Sequence, residues 1–423
     1  MPKCHAPCSR KGRATLPRGS CETLGGQKAQ RTTGRRTMSP CNLTPWILVV
    51  SIFLPVRALV AQNVTDPLPE PTGVWRVGRV TAEVVDTSRR MPDGHDPRGL
   101  MLHIWYPASP GSRGAPLPYV EHLEAAGSLL ADDELSLLKT VRTHSFAAPA
   151  AAPPRRGFPL LLFSHGEQMN AFLYSSLNEE LASHGFVVVA VDHPGAALFA
   201  PYPDGTVVPY SQAGRNLPVR VVDRAADLRF VRDQVSMLDV GDRRLKDLVS
   251  GRVGVFGHSN GGIAAALMCQ QAPVVDACLN LDGRLDGAPV MTKEGVPPPS
   301  RPFMYLTKPF RALTDAELRA EGITRDQATK EQADTWARDG RLLSGGAPPS
   351  YRVTLNQAAH ESFSDEPLLR EPGDESHVKL MSTVRGLVVE FFDTELNGPE
   401  RKLAASRSAK YVEVELLARK PVP

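Results

Sequence analysis

The sequence predicts an α/β domain, with a mostly parallel central sheet and helices on both faces. Three observations carry that expectation. Unbroken apolar runs at 160–163, 186–191 and 253–256 suit strands buried on both faces rather than half-solvated, alternating ones. Segments of helical spacing, such as 172–183 and 221–238, alternate with those runs. Each run ends in a turn built from chemistry-bearing residues: Ser164-His165-Gly166-Glu167, Asp192-His193-Pro194-Gly195 and Gly257-His258-Ser259-Asn260-Gly261. Open α/β sheets build their sites at the carboxyl ends of their strands.

Taken in order, residues 74–85 alternate as a strand. A second strand, 100–106 (LMLHIWY), is joined to it through the turn-rich MPDGHDPRG as a hairpin. Residues 119–142 space leucines and acids like a packed surface helix. The Ala/Pro-rich stretch 147–159 is a loop before the strand 160–163. Residues 196–217 are irregular, and 221–238 form a helix with acids and arginines on its outer face. After 253–256 comes a sharp turn and an alanine-rich helix through 263–268. Further strands are expected at 276–281, 303–306 and 351–355, a polar helical excursion at 314–338, and a closing helix at 384–392.

The chain has 423 residues, enough for one large domain with a sizeable core. Its net charge of +3 conceals an asymmetry. Residues 1–61 hold ten Lys or Arg and one acid, which leaves −6 for residues 62–423. The body is mildly acidic and offers no basic stripe for nucleic acid. Residues 1–61 read as a leader whose apolar region, about 46–55, is too short to span a bilayer comfortably and is followed by small residues at Ala58 and Ala61. That is the pattern of a secretory signal peptide, with Met1 or Met38 as start, and it implies a secreted or periplasmic protein. An uncleaved anchor is the alternative. Residues 62–72 are a Pro-rich linker, 73–397 the catalytic domain and 398–423 a loosely attached tail. Four of six cysteines fall in the leader; Cys269 and Cys278 remain, flanked by apolar residues, and read first as buried free thiols, with a disulfide as the alternative.

The stretch 252–271, RVGVFGHSNGGIAAALMCQQ, is strand, tight turn, helix with a serine at the turn. G-x-S-x-G in this setting marks the nucleophile elbow of α/β-hydrolases. The glycines let strand and helix approach while the serine projects its hydroxyl above the sheet edge. A serine needs a base, and the base needs an acid to hold its tautomer; here the order along the chain is Ser, Asp or Glu, His. Asp282 directly follows the next strand, whereas Asp276 sits at that strand's wrong end and Asp286 lies deeper in the loop. His360 follows the last strand within AAHESFSD, whereas His377 precedes the final helix. The backbone N–H groups of Glu167 and Asn260 are the candidate oxyanion donors. His165, His193 and His258 read as structural, bonded within their own loops. No HExxH, CxxC pair, Walker A or complete Rossmann motif implies a metal or cofactor.

The combination LHIWYP, FSHG, FVVVAVDHPG, VGVFGHSNGG, LNLDG and AAHESFSD resembles the plasma-type, calcium-independent platelet-activating factor acetylhydrolase family and its bacterial relatives, over roughly 73–397. The resemblance implies Ser259 as nucleophile, Asp282 as acid, His360 as base, and Glu167 with Asn260 as oxyanion hole. It implies a small-molecule or lipid ester as partner, with short acyl groups released and transient contact with a membrane surface. The sequence departs from the family at Glu167, usually small or apolar, and at Asn260, usually aromatic, which leaves the acyl preference open. Dienelactone hydrolases and secreted polyesterases share several of these turns. A non-catalytic hydrolase-fold binding protein is the reading outside enzymes.

Overall fold

The computed structural model describes residues 66–211, 217–285, 298–398 and 412–418; the expected leader and its apolar region lie outside them. In chain order the strands are β1 (Arg76–Arg90), β2 (Pro97–Ala108), β3 (Pro116–Pro118), β4 (Arg142–Ala147), β5 (Phe158–Ser164), β6 (Val187–Asp192), β7 (Phe199–Pro201), β8 (Val207–Pro209), β9 (Asp239–Val240), β10 (Arg243–Arg244), β11 (Val249–His258), β12 (Ala277–Leu281), β13 (Phe303–Thr307), β14 (Ser350–Leu355) and β15 (Val412–Ala418). The helices are α1 (Asp132–Thr140), α2 (Ser175–Ser183), α3 (Leu217–Gln234), α4 (Asn260–Gln271), α5 (Asp315–Glu321), α6 (Arg325–Ser344), α7 (Glu366–Arg370) and α8 (Glu375–Asn397).

Eleven strands form one sheet in the order β15-β14-β13-β12-β11-β5-β6-β2-β1-β4-β3. From β6 through β14 neighbouring strands run parallel. The hairpin β1–β2 joins antiparallel to β6. The apolar runs are continuous because both of their faces are covered. Leu161, Phe163, Val188 and Ala190 enter one core layer with α2 and α8 residues such as Leu177 and Phe392. Leu160, Leu162, Val187, Val189 and Val191 enter the other with α3 and α4 residues such as Leu228 and Ile263.

Several segments differ from their sequence reading. Residues 119–142 are two short helical pieces, a 3₁₀ turn Leu123–Leu129 and α1, divided where Leu130 and Ala131 are extended. Asp132, Asp133 and Glu134 then open α1, where acids complement the helix dipole. Residues 142–147 leave that pattern as β4, with Thr143 and Ser145 buried. Within 196–217, β7 and β8 form a small hairpin. Within the expected tail, VEVELLA alternates in strand fashion, and β15 pairs antiparallel with β14 from Leu355↔Val412 to Tyr351↔Leu416.

The two body cysteines also depart from the free-thiol reading. Cys269 on α4 and Cys278 on β12 share one core layer and form a disulfide, with Cα atoms 6.2 Å apart. The link staples the helix leaving Ser259 to the strand leading to Asp282. Closing so short a loop stabilises by about 2–3 kcal/mol in the chain-entropy account. The Cys269→Ala/Cys278→Ala double variant is therefore expected to show an unfolding free energy in urea lower by about that amount. An unchanged midpoint would contradict the stapling.

Candidate active site

Strand β11 delivers Ser259 to the carboxyl rim of the sheet. Ser259 has φ 54° and ψ −123°, a conformation L-residues avoid. The turn survives because glycine surrounds it. A Cβ on Gly261 would lie 2.0 Å from the Ser164 carbonyl oxygen, and one on Gly257 would lie 2.4 Å from the Gly261 backbone. On Gly262 it would strike Asn280 Oδ1 at 2.2 Å. Backbone therefore meets backbone on both sides of the serine. Among the described non-glycine residues five have positive φ, and Gln168, Ser259 and Asp282 lie at this rim, so strain is concentrated at the site.

Asp282 arrives on the neighbouring strand. The β11–β12 register ends at His258↔Leu281, so Ser259 and Asp282 leave adjacent strands at one level. Ser259 N–H donates to Leu281 O at 2.9 Å, which fixes that level. Asn280 fastens the turn by accepting from Gly283 N–H at 2.7 Å and donating to Gly283 O at 3.0 Å. Asp282 Oδ1 accepts from Thr307 Oγ1 at 2.6 Å and from Lys308 N–H at 3.3 Å. Its other oxygen, Oδ2, lies 2.6 Å from His360 Nδ1. The carboxylate side chain is 6% exposed and the imidazole 27%. That contact assigns Nδ1 as the protonated nitrogen and leaves Nε2 as the basic one. Among the described residues no hydrogen bond joins Ser259 Oγ to His360.

His360 is held from behind by residues the sequence did not single out for that job. His258 packs its ring 4.5 Å from the His360 ring, centroid to centroid, and its Nε2–H donates to His360 O at 3.0 Å. Its Nδ1 accepts from Tyr174 Oη at 2.7 Å, and Tyr174 Oη accepts from Gly166 N–H at 3.1 Å. Burial and the neighbouring His360 drive the His258 pKa well below the usual histidine range, so the ring is a neutral strut. Five residues beyond His360, Asp365 accepts from Tyr119 Oη at 3.0 Å and from Ser176 through both its N–H, at 3.2 Å, and its hydroxyl. Its own N–H donates to Leu173 O at 2.7 Å. Asp365 therefore anchors the His360 loop to the start of α2.

The turn after β5 carries Glu167. The backbone N–H groups of Glu167 and Asn260 have no acceptor among the described residues, as an oxyanion hole requires. His165 braces this turn, with Nδ1–H donating to Gly166 O at 2.6 Å and Nε2 accepting from His193 N–H at 3.2 Å. His193 and His258 do not bond within their own loops, as their positions in the sequence suggest. His193 bonds across to Ser164 Oγ at 2.9 Å and to Asp227 at 2.8 Å.

That second Ser-His-Asp arrangement is fully buried and out of reach of any substrate. Arg98, with nitrogens 2.7 Å from each Asp227 oxygen, outweighs burial and, with the His193 hydrogen bond, holds the carboxyl far below its usual range; Arg89 also bonds it at 2.6 Å. Burial lowers His193 to about 4, so it stays neutral. The relay is a brace under the site, and solvent access separates it from the set at Ser259.

The model of the family "Platelet-activating factor acetylhydrolase, isoform II" matches residues 60–237. A probable 1-alkyl-2-acetylglycerophosphocholine esterase of Arthroderma benhamiae is 24% identical over 403 residues, spanning 86% of this chain and 98% of that protein. The platelet-activating factor acetylhydrolase of Cavia porcellus is 29% identical over 155 residues, 31% of this chain and 35% of the relative. Among solved structures, a ferulic acid esterase from Streptomyces cinnamoneus superposes with a TM-score of 0.65 at 28% identity, covering 83% of this chain and 99% of that one. The chain is a carboxylic ester hydrolase of the α/β-hydrolase fold, similar over part of its length to the platelet-activating factor acetylhydrolases.

The family match ends before the elbow of this esterase, so it covers the turn carrying Glu167 but not Ser259, Asp282 or His360. For those residues the coordinates provide the geometry. The supports that sequence reasoning missed are Tyr174, Asn280, Thr307 and Asp365. Only Asp365 had a signal, its place in the AAHESFSD motif.

Burial pushes the Asp365 carboxyl up to about 7. Glu179 and Glu366 nearby are raised for the same reason. An acid with a higher pKa folded than unfolded keeps its proton in the folded state. Its stabilisation is complete below the unfolded carboxylate range and is lost as pH rises through about 7. Thermal unfolding of the wild type is expected to shift downward between about pH 5 and about pH 8 more steeply than that of Asp365→Asn. Parallel curves for the two proteins would rule out Asp365 as the titrating group.

Proposed function

We propose that this esterase releases short acyl groups from its substrates, acetylated phospholipid sn-2 esters among them, using Ser259, His360 and Asp282. The observation that carries the reading is the 2.6 Å contact between His360 Nδ1 and Asp282 Oδ2, made at the rim beside the strained serine. Neutral His360 takes the Ser259 hydroxyl proton at Nε2 as Oγ attacks the ester carbonyl carbon. The carbonyl oxygen becomes an oxyanion and is met by the N–H groups of Asn260 and Glu167. Asp282 stabilises the imidazolium, which returns its proton to the leaving alkoxide. Water, deprotonated by the same imidazole, then releases the acid from Ser259. The step requires neither metal nor cofactor.

The short-acyl, phospholipid reading rests on the relative from Arthroderma benhamiae, whose length the chain spans almost completely. A second reading, a bulkier aryl ester, is favoured by the ferulic acid esterase that covers most of the chain, and the polyester alternative stands on the turns shared with secreted polyesterases. We propose a secreted or periplasmic location as well, supported by the Cys269–Cys278 disulfide and the composition of the leader.

Ser259→Ala is expected to abolish p-nitrophenyl acetate hydrolysis with the fold intact, and Asp282→Asn to lower kcat by about 10⁴-fold, the loss a wrong tautomer causes in serine proteases. Turnover undiminished in Ser259→Ala would remove the mechanism. Rates on an acetylated phospholipid, p-nitrophenyl esters of rising chain length, a feruloyl ester and a polyester film separate the two substrate readings. A kcat/KM that falls with chain length and is highest for the acetylated phospholipid supports the first; preference for the feruloyl ester or the film overturns it.

A further inference from the structure

The two positions at which this chain departs from the family it resembles are hydrogen-bonded to each other. Asn260 Nδ2 donates to Glu167 Oε2 at 2.9 Å. These are the same two residues whose backbone N–H groups are the candidate oxyanion donors. The carboxylate is held in turn by Arg224, at 2.9 Å from the same oxygen, and by Arg220 on the other oxygen. Arg224 is almost fully buried, and its other terminal nitrogen donates to His165 O at 2.5 Å in the turn that presents Glu167. Arg220 is steadied by Tyr210 Oη at 3.1 Å. One carboxylate therefore ties the elbow, the β5 turn and α3 together.

We infer that Glu167 and Asn260 are positioning residues, a side-chain latch that fixes the spacing of the two backbone donors around the developing oxyanion. The inference rests on the esterase mechanism proposed above. Two physical arguments support it. The donors come from separate segments, the β5 turn and the first residue of α4, and each turn carries a residue of positive φ, Gln168 and Ser259. Strained turns hold a geometry only when their surroundings over-determine it, and donor placement matters at the sub-ångström scale. In this chain the hydrogen bond from Asn260 to Glu167 crosses between the two segments. The second argument is charge. A lone carboxylate beside an oxyanion would oppose catalysis. Two guanidiniums on one carboxylate leave the group net positive, so it favours the negative charge that develops.

The roles of the latch residues differ by substitution. Asn260→Ala removes the tie and leaves both arginines paired with Glu167. Glu167→Ala removes the same tie from its other end and keeps the backbone N–H. With p-nitrophenyl acetate, Asn260→Ala is expected to lower kcat about tenfold, a fraction of the 10²–10³ lost when a donor is removed outright, with KM within about twofold. An arylboronic acid that mimics the tetrahedral species should bind Asn260→Ala more weakly by the same factor. Glu167→Ala, which removes the acceptor from the other end, should lower kcat by at least the same factor of about ten. The double variant should be no worse than the more impaired single variant, because the two side chains act as one unit. Wild-type kcat and boronate affinity in Asn260→Ala, or losses in the two single variants that multiply in the double, would overturn the latch. Ser259→Ala run beside them tells the failures apart: an inactive Ser259→Ala with an unaffected Asn260→Ala sinks the latch alone, whereas an active Ser259→Ala sinks the mechanism beneath it.

Discussion

The contact on which the site depends is the approach of the elbow to the end of β5. The Ser164 carbonyl oxygen lies where a side chain at Gly261 would have to begin. Gly257 faces the same oxygen from the strand side. With no side chain between them, the helix carrying Asn260 and the turn carrying Glu167 sit close enough for their side chains to hydrogen-bond. The same closeness forces Ser259 into its positive φ, and the cost, on the order of 1–3 kcal/mol, is borne by two core layers packed around β5 and β11. Sheet register does the rest for Asp282, one strand over at the same level.

His360 has no such help from register. It lies past the end of β14, in a short 3₁₀ turn, and its placement is made by side chains. His258 supports it from the elbow strand, and Asp365 ties its loop to α2. Around it, burial keeps His165, His193 and His258 below their usual range, so the histidines under the site are neutral hydrogen-bonding struts. The buried charges are carried instead by Asp227 with its arginines. A partly exposed imidazole bound to a carboxylate is thereby distinguished from three buried ones that serve as structure.

The sequence disclosed what local pattern determines. Unbroken apolar runs located the parallel strands, and residues at their carboxyl ends pointed to Ser259, Asp282 and His360, because topology places those ends on one rim. What it did not disclose depends on partners distant in sequence. Nothing local distinguishes Ser164-His193-Asp227 from a working relay; burial does. The pairing of Glu167 with Asn260 joins residues 93 positions apart, so each looked like an isolated departure from a family pattern. Cys269 and Cys278 read as thiols because apolar neighbours suit a free cysteine as well as a bonded one. The strand 412–418 escaped notice because its partner edge, β14, is defined only once the sheet is assembled.

The most direct test of the central claim is to treat the full chain with a fluorophosphonate and map the adduct by peptide mass spectrometry. The account predicts one adduct, on the peptide containing Ser259, with ester turnover lost in proportion to its occupancy. An adduct on the peptide containing Ser164, or inactivation with Ser259 unmodified, would contradict it.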